Sequence, residues 1–152
     1  PEAMVVELPP LLDFPAPRLR AYPRETVVAE KLEAMVKLGM ANSRMKDFYD
    51  VAVLARSFTF DGDLLTRAIR TTFERRKTPL PTTTPVALTA AFAEDPAKNT
   101  QWAGFVRKTG IGAGDTLAET IASVRALVEA PLLAAAGAGP VPKSWQGGKA
   151  WA

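Results

Sequence analysis

The residues best suited to chemistry fall in two short stretches: Glu30-Lys31, and Arg44-Met45-Lys46-Asp47-Phe48-Tyr49-Asp50. Lys31 and Lys46 are cations of the kind that neutralise phosphate oxygens in phosphoryl transfer. Asp47 and Asp50 stand three apart and so share one face of any helix that carries them. Either one offers a carboxylate to accept a proton from an attacking hydroxyl or to hold a nucleotide's polar edge. The chemical reading is therefore nucleotide handling. A solvated helix face accounts for the same residues: like charges at that spacing cost only a few tenths of a kcal/mol. Asp47 also suits a helix N-terminus, and Lys46–Asp50 can pair across one turn. Spacing alone weighs toward this plainer reading.

The composition limits the chemistry further. Among 152 residues there is neither cysteine nor histidine. Disulfides, thiol nucleophiles, Cys/His zinc sites and histidine bases are thereby excluded. Catalysis would run on carboxylates, Lys, Arg, Tyr or hydroxyls, and any metal would be a hard ion held by oxygen, such as Mg²⁺. The net charge of +3 is mildly basic and compatible with a polyanionic partner. No apolar run is long enough to span a membrane, and residues 1–12 lack the pattern of a signal peptide. The default location is the cytoplasm.

Helices must position the two stretches. Val28, Leu32, Met35 and Val36 make one apolar stripe, which predicts a helix over 24–38 with Gly39 as its stop. Glu30, Lys31, Glu33 and Lys37 fall off that stripe. A short link, 40–44, leads to a second helix over 45–57 whose stripe is Phe48, Val51, Ala52 and Ala55. Two antiparallel helices so joined bring Lys31 near Asp47 and Asp50. An extended connector, 58–60, precedes a third helix over 62–76 capped by Asp61, with Leu65, Ala68, Ile69 and Thr72 inward. A loop, 78–85, and a short turn near 89–92 follow. Asp95-Pro96 starts a helix to 108 that buries Trp102, Phe105 and Val106. Thr116 and Glu119 have capping-box spacing at the head of the last helix, which Pro131 should end or kink. Trp145 and Trp151 read as anchors over the bundle. Before Pro23 the chain is broken by prolines, with room for extended pieces at 4–8 and 18–22. The fold class is mainly α, a helical bundle with a short extended N-terminal arm.

The stretch from Tyr22 to Leu65 resembles the second half of the AbiEii/AbiGii toxin family of nucleotidyltransferases. The resemblance rests on Ala29-Glu30-Lys31-Leu32 and on Asn42-Ser43-Arg44-Met45-Lys46-Asp47-Phe48-Tyr49-Asp50. It extends upstream through Leu12–Leu19, and downstream to Thr72–Arg76 and the closing Trp145–Trp151 with Gly147-Gly148. It implies a small nucleotidyltransferase sheet followed by a helical domain. It implies transfer of a nucleotide monophosphate from an NTP, with Mg²⁺, to an acceptor such as tRNA, by a toxin paired with a cognate antitoxin in phage defence or growth control. It gives Lys31 the triphosphate contact and Asp50 the role of the family's fourth-motif aspartate. Asp47 stands beside Asp50 as a catalytic candidate, with Lys46, Arg44 and Glu30 as nucleotide-binding ones. On this reading residues 1–23 are an extended arm left from the sheet domain, 24–136 the helical domain, and 137–152 a Gly/Pro/Trp tail.

The family's Gly-Ser turn and Asp-x-Asp strand should precede Lys31, yet the 30 residues before it hold neither. The expectation is a chain without its metal carboxylates and inactive alone. The one Asp-x-Asp, Asp61-Gly62-Asp63, lies downstream and reads as a helix cap. Gly110-Ile111-Gly112-Ala113-Gly114 reads as an interhelix turn, lacking a P-loop lysine. Arg67, Arg70, Arg75, Arg76 and Lys77 are a weak candidate nucleic-acid surface. The alternative function is a stand-alone helical interaction module that binds nucleic acid or a protein partner, including a second copy through the arm's apolar residues, Val5, Val6, Leu8, Leu11, Leu12 and Phe14.

Overall fold

The computed structural model describes residues 23–148 and 150–152. The extended pieces at 4–8 and 18–22, and the apolar arm, lie outside the described residues. The described chain is mainly α. In order it forms α1 (Arg24–Leu38), a 3₁₀ turn (Gly39–Ala41), α2 (Met45–Ser57), β1 (Phe60–Asp61) and α3 (Gly62–Arg75). A second 3₁₀ turn (Val86–Leu88) follows, then α4 (Ala90–Ala93), α5 (Pro96–Thr109), α6 (Leu117–Ala135) and β2 (Ser144–Trp145). None of these helices is long and apolar enough to cross a membrane.

Side-chain caps mark three of the six described helix starts. Asp61 accepts a hydrogen bond from the Leu64 amide at 3.0 Å, Asp95 does the same for Lys98 at 3.0 Å, and Thr116 with Glu119 closes a complete capping box. Packing does the rest. α1 lies against α3 and α2, and α6 crosses both α2 and α3. Val28, Leu32, Phe48, Val51, Leu65, Ile69, Phe92, Val124 and Val128 join in one continuous core. Trp102 is in that core, while Phe105 and Val106 are only half-buried at its edge.

α1 differs from its expected stripe. Lys31 is 5% exposed and Glu33 1%, although the apolar pattern leaves both outside. The helix is clasped on two sides, by α3 and by α2, so its charged face is covered as well. Glu33 accepts from the Thr78 hydroxyl at 2.7 Å and lies 3.6 Å from Arg76, which gives the buried carboxylate its partners.

Pro131 does not end the last helix; α6 runs through it to Ala135. A proline inside a helix removes one backbone donor and strands the carbonyl four residues earlier. That carbonyl belongs to Leu127, and the indole Nε1 of Trp151 donates to it at 2.9 Å. The tail thus supplies the hydrogen bond that Pro131 cannot. We expect Trp151→Phe to cost about 1 kcal/mol with Pro131 present, and clearly less in a Pro131→Ala background, where a backbone N–H can take over. Equal costs in both backgrounds, measured by urea unfolding of the four proteins of the cycle, would sink the assignment.

The rest of the tail is fixed similarly. β2 pairs antiparallel with β1, Phe60 opposite Trp145 and Asp61 opposite Ser144. Trp145 is 2% exposed, and its Nε1 donates to the Ala55 carbonyl at 2.7 Å. The Gly148 amide donates to the same oxygen at 2.8 Å. Both bonds fall on the last turn of α2, where carbonyls lack intrahelical donors. Gly62 makes this closure possible, since a Cβ there would sit 1.8 Å from the Pro142 carbonyl oxygen.

Candidate functional site

Lys31 projects from the middle of α1 toward the first two turns of α2. Its Nζ lies 3.0 Å from Asp47 Oδ1 and 3.3 Å from Asp50 Oδ2. Asp47 and Asp50 are 1% and 0% exposed, so the three groups form a buried ion cluster. One ammonium between two carboxylates on the same helix face offsets their mutual repulsion. It also offsets the cost of removing each from water, several kcal/mol per ion. The sequence expectation that the short link brings these groups together is met; the alternative of a solvated face is not, for these three residues.

Two further cations connect the cluster to solvent. Lys46 Nζ lies 3.2 Å from Asp50 Oδ2, one helical turn away, and is 29% exposed. Arg44 Nε lies 2.8 Å from Asp47 Oδ2 and is 57% exposed. The Arg44 contact is one of charge rather than an aligned hydrogen bond, because Asp47 Oδ2 has no donor at acceptable angles. Asp47 is also in the first turn of α2, where the helix dipole favours a carboxylate. An open cavity of about 500 Å³ adjoins this end of α2, with Ser43, Arg44, Lys46 and Asp47 on one wall and Gln101, Phe105 and Lys108 of α5 on the other. Another, of about 600 Å³, lies between the tail and α6, far from these charges.

Sequence reasoning missed the α5 wall. Lys98 is 6% exposed, and its Nζ donates to the Asn42 carbonyl at 2.8 Å. Nothing in Asp95-Pro96-Ala97-Lys98 distinguishes that lysine from one on an exposed first turn.

The remaining candidates are dispersed. Glu30 accepts from Arg75 at 3.0 Å and lies 3.9 Å from Arg76, so it joins α1 to α3 rather than to the cluster. Arg67 pairs with Asp63 at 2.8 Å. Arg70 donates to the Ala135 carbonyl at 3.3 Å and so caps α6. Lys77 is exposed with φ +55° just past α3. The basic end of α3 is thus largely engaged with its own bundle. Asp61 caps α3, as its spacing indicates, and Gly110 closes α5 in the left-handed region.

Among the described residues no group of three acidic side chains could hold a metal ion. Asp47 and Asp50 are clasped by Lys31, and a divalent cation would have to displace that ammonium. The described residues therefore do not fit Mg²⁺.

The buried Lys–Asp–Asp cluster coincides with the stretches that carry the family pattern, and comparison with known families decides the matter. A family model described as nucleotidyl transferase AbiEii toxin, type IV toxin–antitoxin system, matches residues 1–130. The chain belongs to the AbiEii family. No curated protein and no solved structure matches it. The AbiEii match takes in the whole ion cluster and stops one residue before Pro131, so the tail lies beyond the matched residues.

Proposed function

We propose that this chain is the helical part of a toxin-type nucleotidyltransferase that transfers an NMP from an NTP to an acceptor such as tRNA. The single observation that carries the reading is the convergence of Lys31 with Asp47 and Asp50, extended by Lys46 and Arg44 to an open cavity. In this proposal Arg44 and Lys46 take the phosphates that enter the cavity, since they reach solvent. Lys31 does not line the cavity; behind Asp47 and Asp50 it fixes the two carboxylates that hold Arg44 and Lys46. Asp50 is fully buried between Lys31 and Lys46, which supports a role in orienting the two lysines over one as proton acceptor. Mg²⁺ would have to be held by carboxylates other than those described. A cognate antitoxin is the partner that the family implies.

The 152-residue chain alone is then expected to give no Mg²⁺-dependent labelling of tRNA from any of the four labelled NTPs. Robust labelling, abolished by EDTA, would overturn the proposal that the chain lacks the metal-binding part of the site. The reading as a stand-alone nucleic-acid module draws less support, because Arg67, Arg75 and Arg76 are paired with Asp63, Glu30 and Glu33.

A further inference from the structure

We propose that Lys98 is a positioning residue: from α5 it fixes the link ahead of α2 and thereby aims Arg44 and Asp47. The inference rests on the nucleotide-site reading for its functional meaning, though not for its structural test. Lys98 is 6% exposed, yet its partners are neutral oxygens. Its Nζ donates to the Asn42 carbonyl at 2.8 Å and to Gln101 Oε1 at 3.3 Å, and it lies 5.3 Å from the centroid of the Phe92 ring. A buried ammonium without a carboxylate is costly unless its hydrogen bonds are good. Here the main bond goes to a backbone carbonyl of a fully buried residue, Asn42.

The consequences run along the chain. Asn42 Oδ1 accepts from the Arg44 amide at 2.7 Å. The Asp47 amide then donates to the Arg44 carbonyl at 3.0 Å, which opens α2. α2 has no side-chain cap, because Arg44 stands at the N-cap position and provides none. The start of the helix is therefore set by the link, and the link is held by Lys98. Through this series Lys98 fixes where Asp47 meets Lys31 and where Arg44 faces the cavity, while touching neither.

The test compares wild type with Lys98→Met, which keeps length without donors, and Lys98→Arg, which restores a donating cation. Amide hydrogen exchange is read at Arg44 and Asp47 and, as reference, at Val124 and Val128 in α6. Lys98→Met should speed exchange at Arg44 and Asp47 by roughly tenfold, leave the α6 amides unchanged, and be largely reversed by Lys98→Arg. Gln101→Leu removes the side-chain amide whose oxygen accepts from Lys98, and leaves Lys98 itself in place. It should give the same local pattern more weakly, and it decides the matter if Lys98→Met does not fold. Unchanged exchange at Arg44 and Asp47, or equal acceleration in α6, overturns the positioning role. Calorimetric titration with the Mg²⁺ complexes of ATP, GTP, CTP and UTP is the second readout. Affinity should fall in Lys98→Met and recover in Lys98→Arg, and loss in both would also overturn the proposal. If wild type binds none of the four, the nucleotide reading fails while the exchange comparison still decides Lys98.

Discussion

Replacing Lys31 with alanine is expected to destabilise the fold by about 3 kcal/mol or more, the range for breaking a buried ion pair by removing one partner. Lys31 lies 3.0 Å from Asp47 and 3.3 Å from Asp50, and all three side chains are buried. Without it Asp47 keeps the off-angle Arg44 contact, and Asp50 loses the ammonium that lies between it and Asp47. Their mutual repulsion would then be set in a medium of low polarity, where it is larger than on a surface. Urea unfolding at neutral pH measures the loss. The double variant Lys31→Met with Asp47→Leu should recover part of it, because an apolar pair of similar volume leaves one fewer charge in the core. A Lys31→Ala protein as stable as wild type would show that the cluster is solvated. The result also bears on functional experiments: loss of nucleotide binding in Lys31→Ala would not by itself distinguish a lost phosphate contact from a disordered α2.

Trp145→Ala is expected to cost about 3–5 kcal/mol, as for other truncations of buried aromatic residues. The ring is 2% exposed and packs 5.5 Å, centroid to centroid, from Trp151. Its indole N–H caps Ala55 at the end of α2. Trp145→Phe separates the two contributions. It keeps most of the apolar surface and removes only the donor, and the Ala55 carbonyl retains the Gly148 amide. That variant should lose only about 1 kcal/mol. If Trp145→Ala leaves the unfolding midpoint unchanged, the tail is not part of the folded unit. The tail would then also be irrelevant to α2, whose far end carries the ion cluster.

The sequence makes the elements legible where their causes are local. The extent of α1 with its glycine stop at Gly39, and the caps at Asp61, Asp95 and Thr116, depend on neighbours within a few residues. The continuation of α6 through Pro131 was not legible, because its remedy is a donor 24 positions from Leu127. The burial of Lys31 and Glu33 was not legible either. A stripe rule sends charged residues outward, and only the packing of α1 between α2 and α3 brings their partners to them. The site shows the same division. The Lys46–Asp50 pair follows from helical spacing, and the approach of Lys31 follows from the short link. Lys98 arrives from an element 56 positions beyond Asn42, with no motif to mark it.

The most direct test of the central claim is titration of the purified chain with the Mg²⁺ complexes of the four NTPs, comparing wild type with Lys46→Met and Arg44→Ala. These two cations reach solvent at 29% and 57% exposure, and Lys31 stays beside both carboxylates in either variant, so their loss should cost less stability than that of Lys31. The account predicts weak binding of at least one nucleotide by wild type and a severalfold loss of affinity in each variant, with both variants still folded. Binding that is absent in wild type, or that is indifferent to both substitutions, would contradict the assignment of this cluster as part of a nucleotide site.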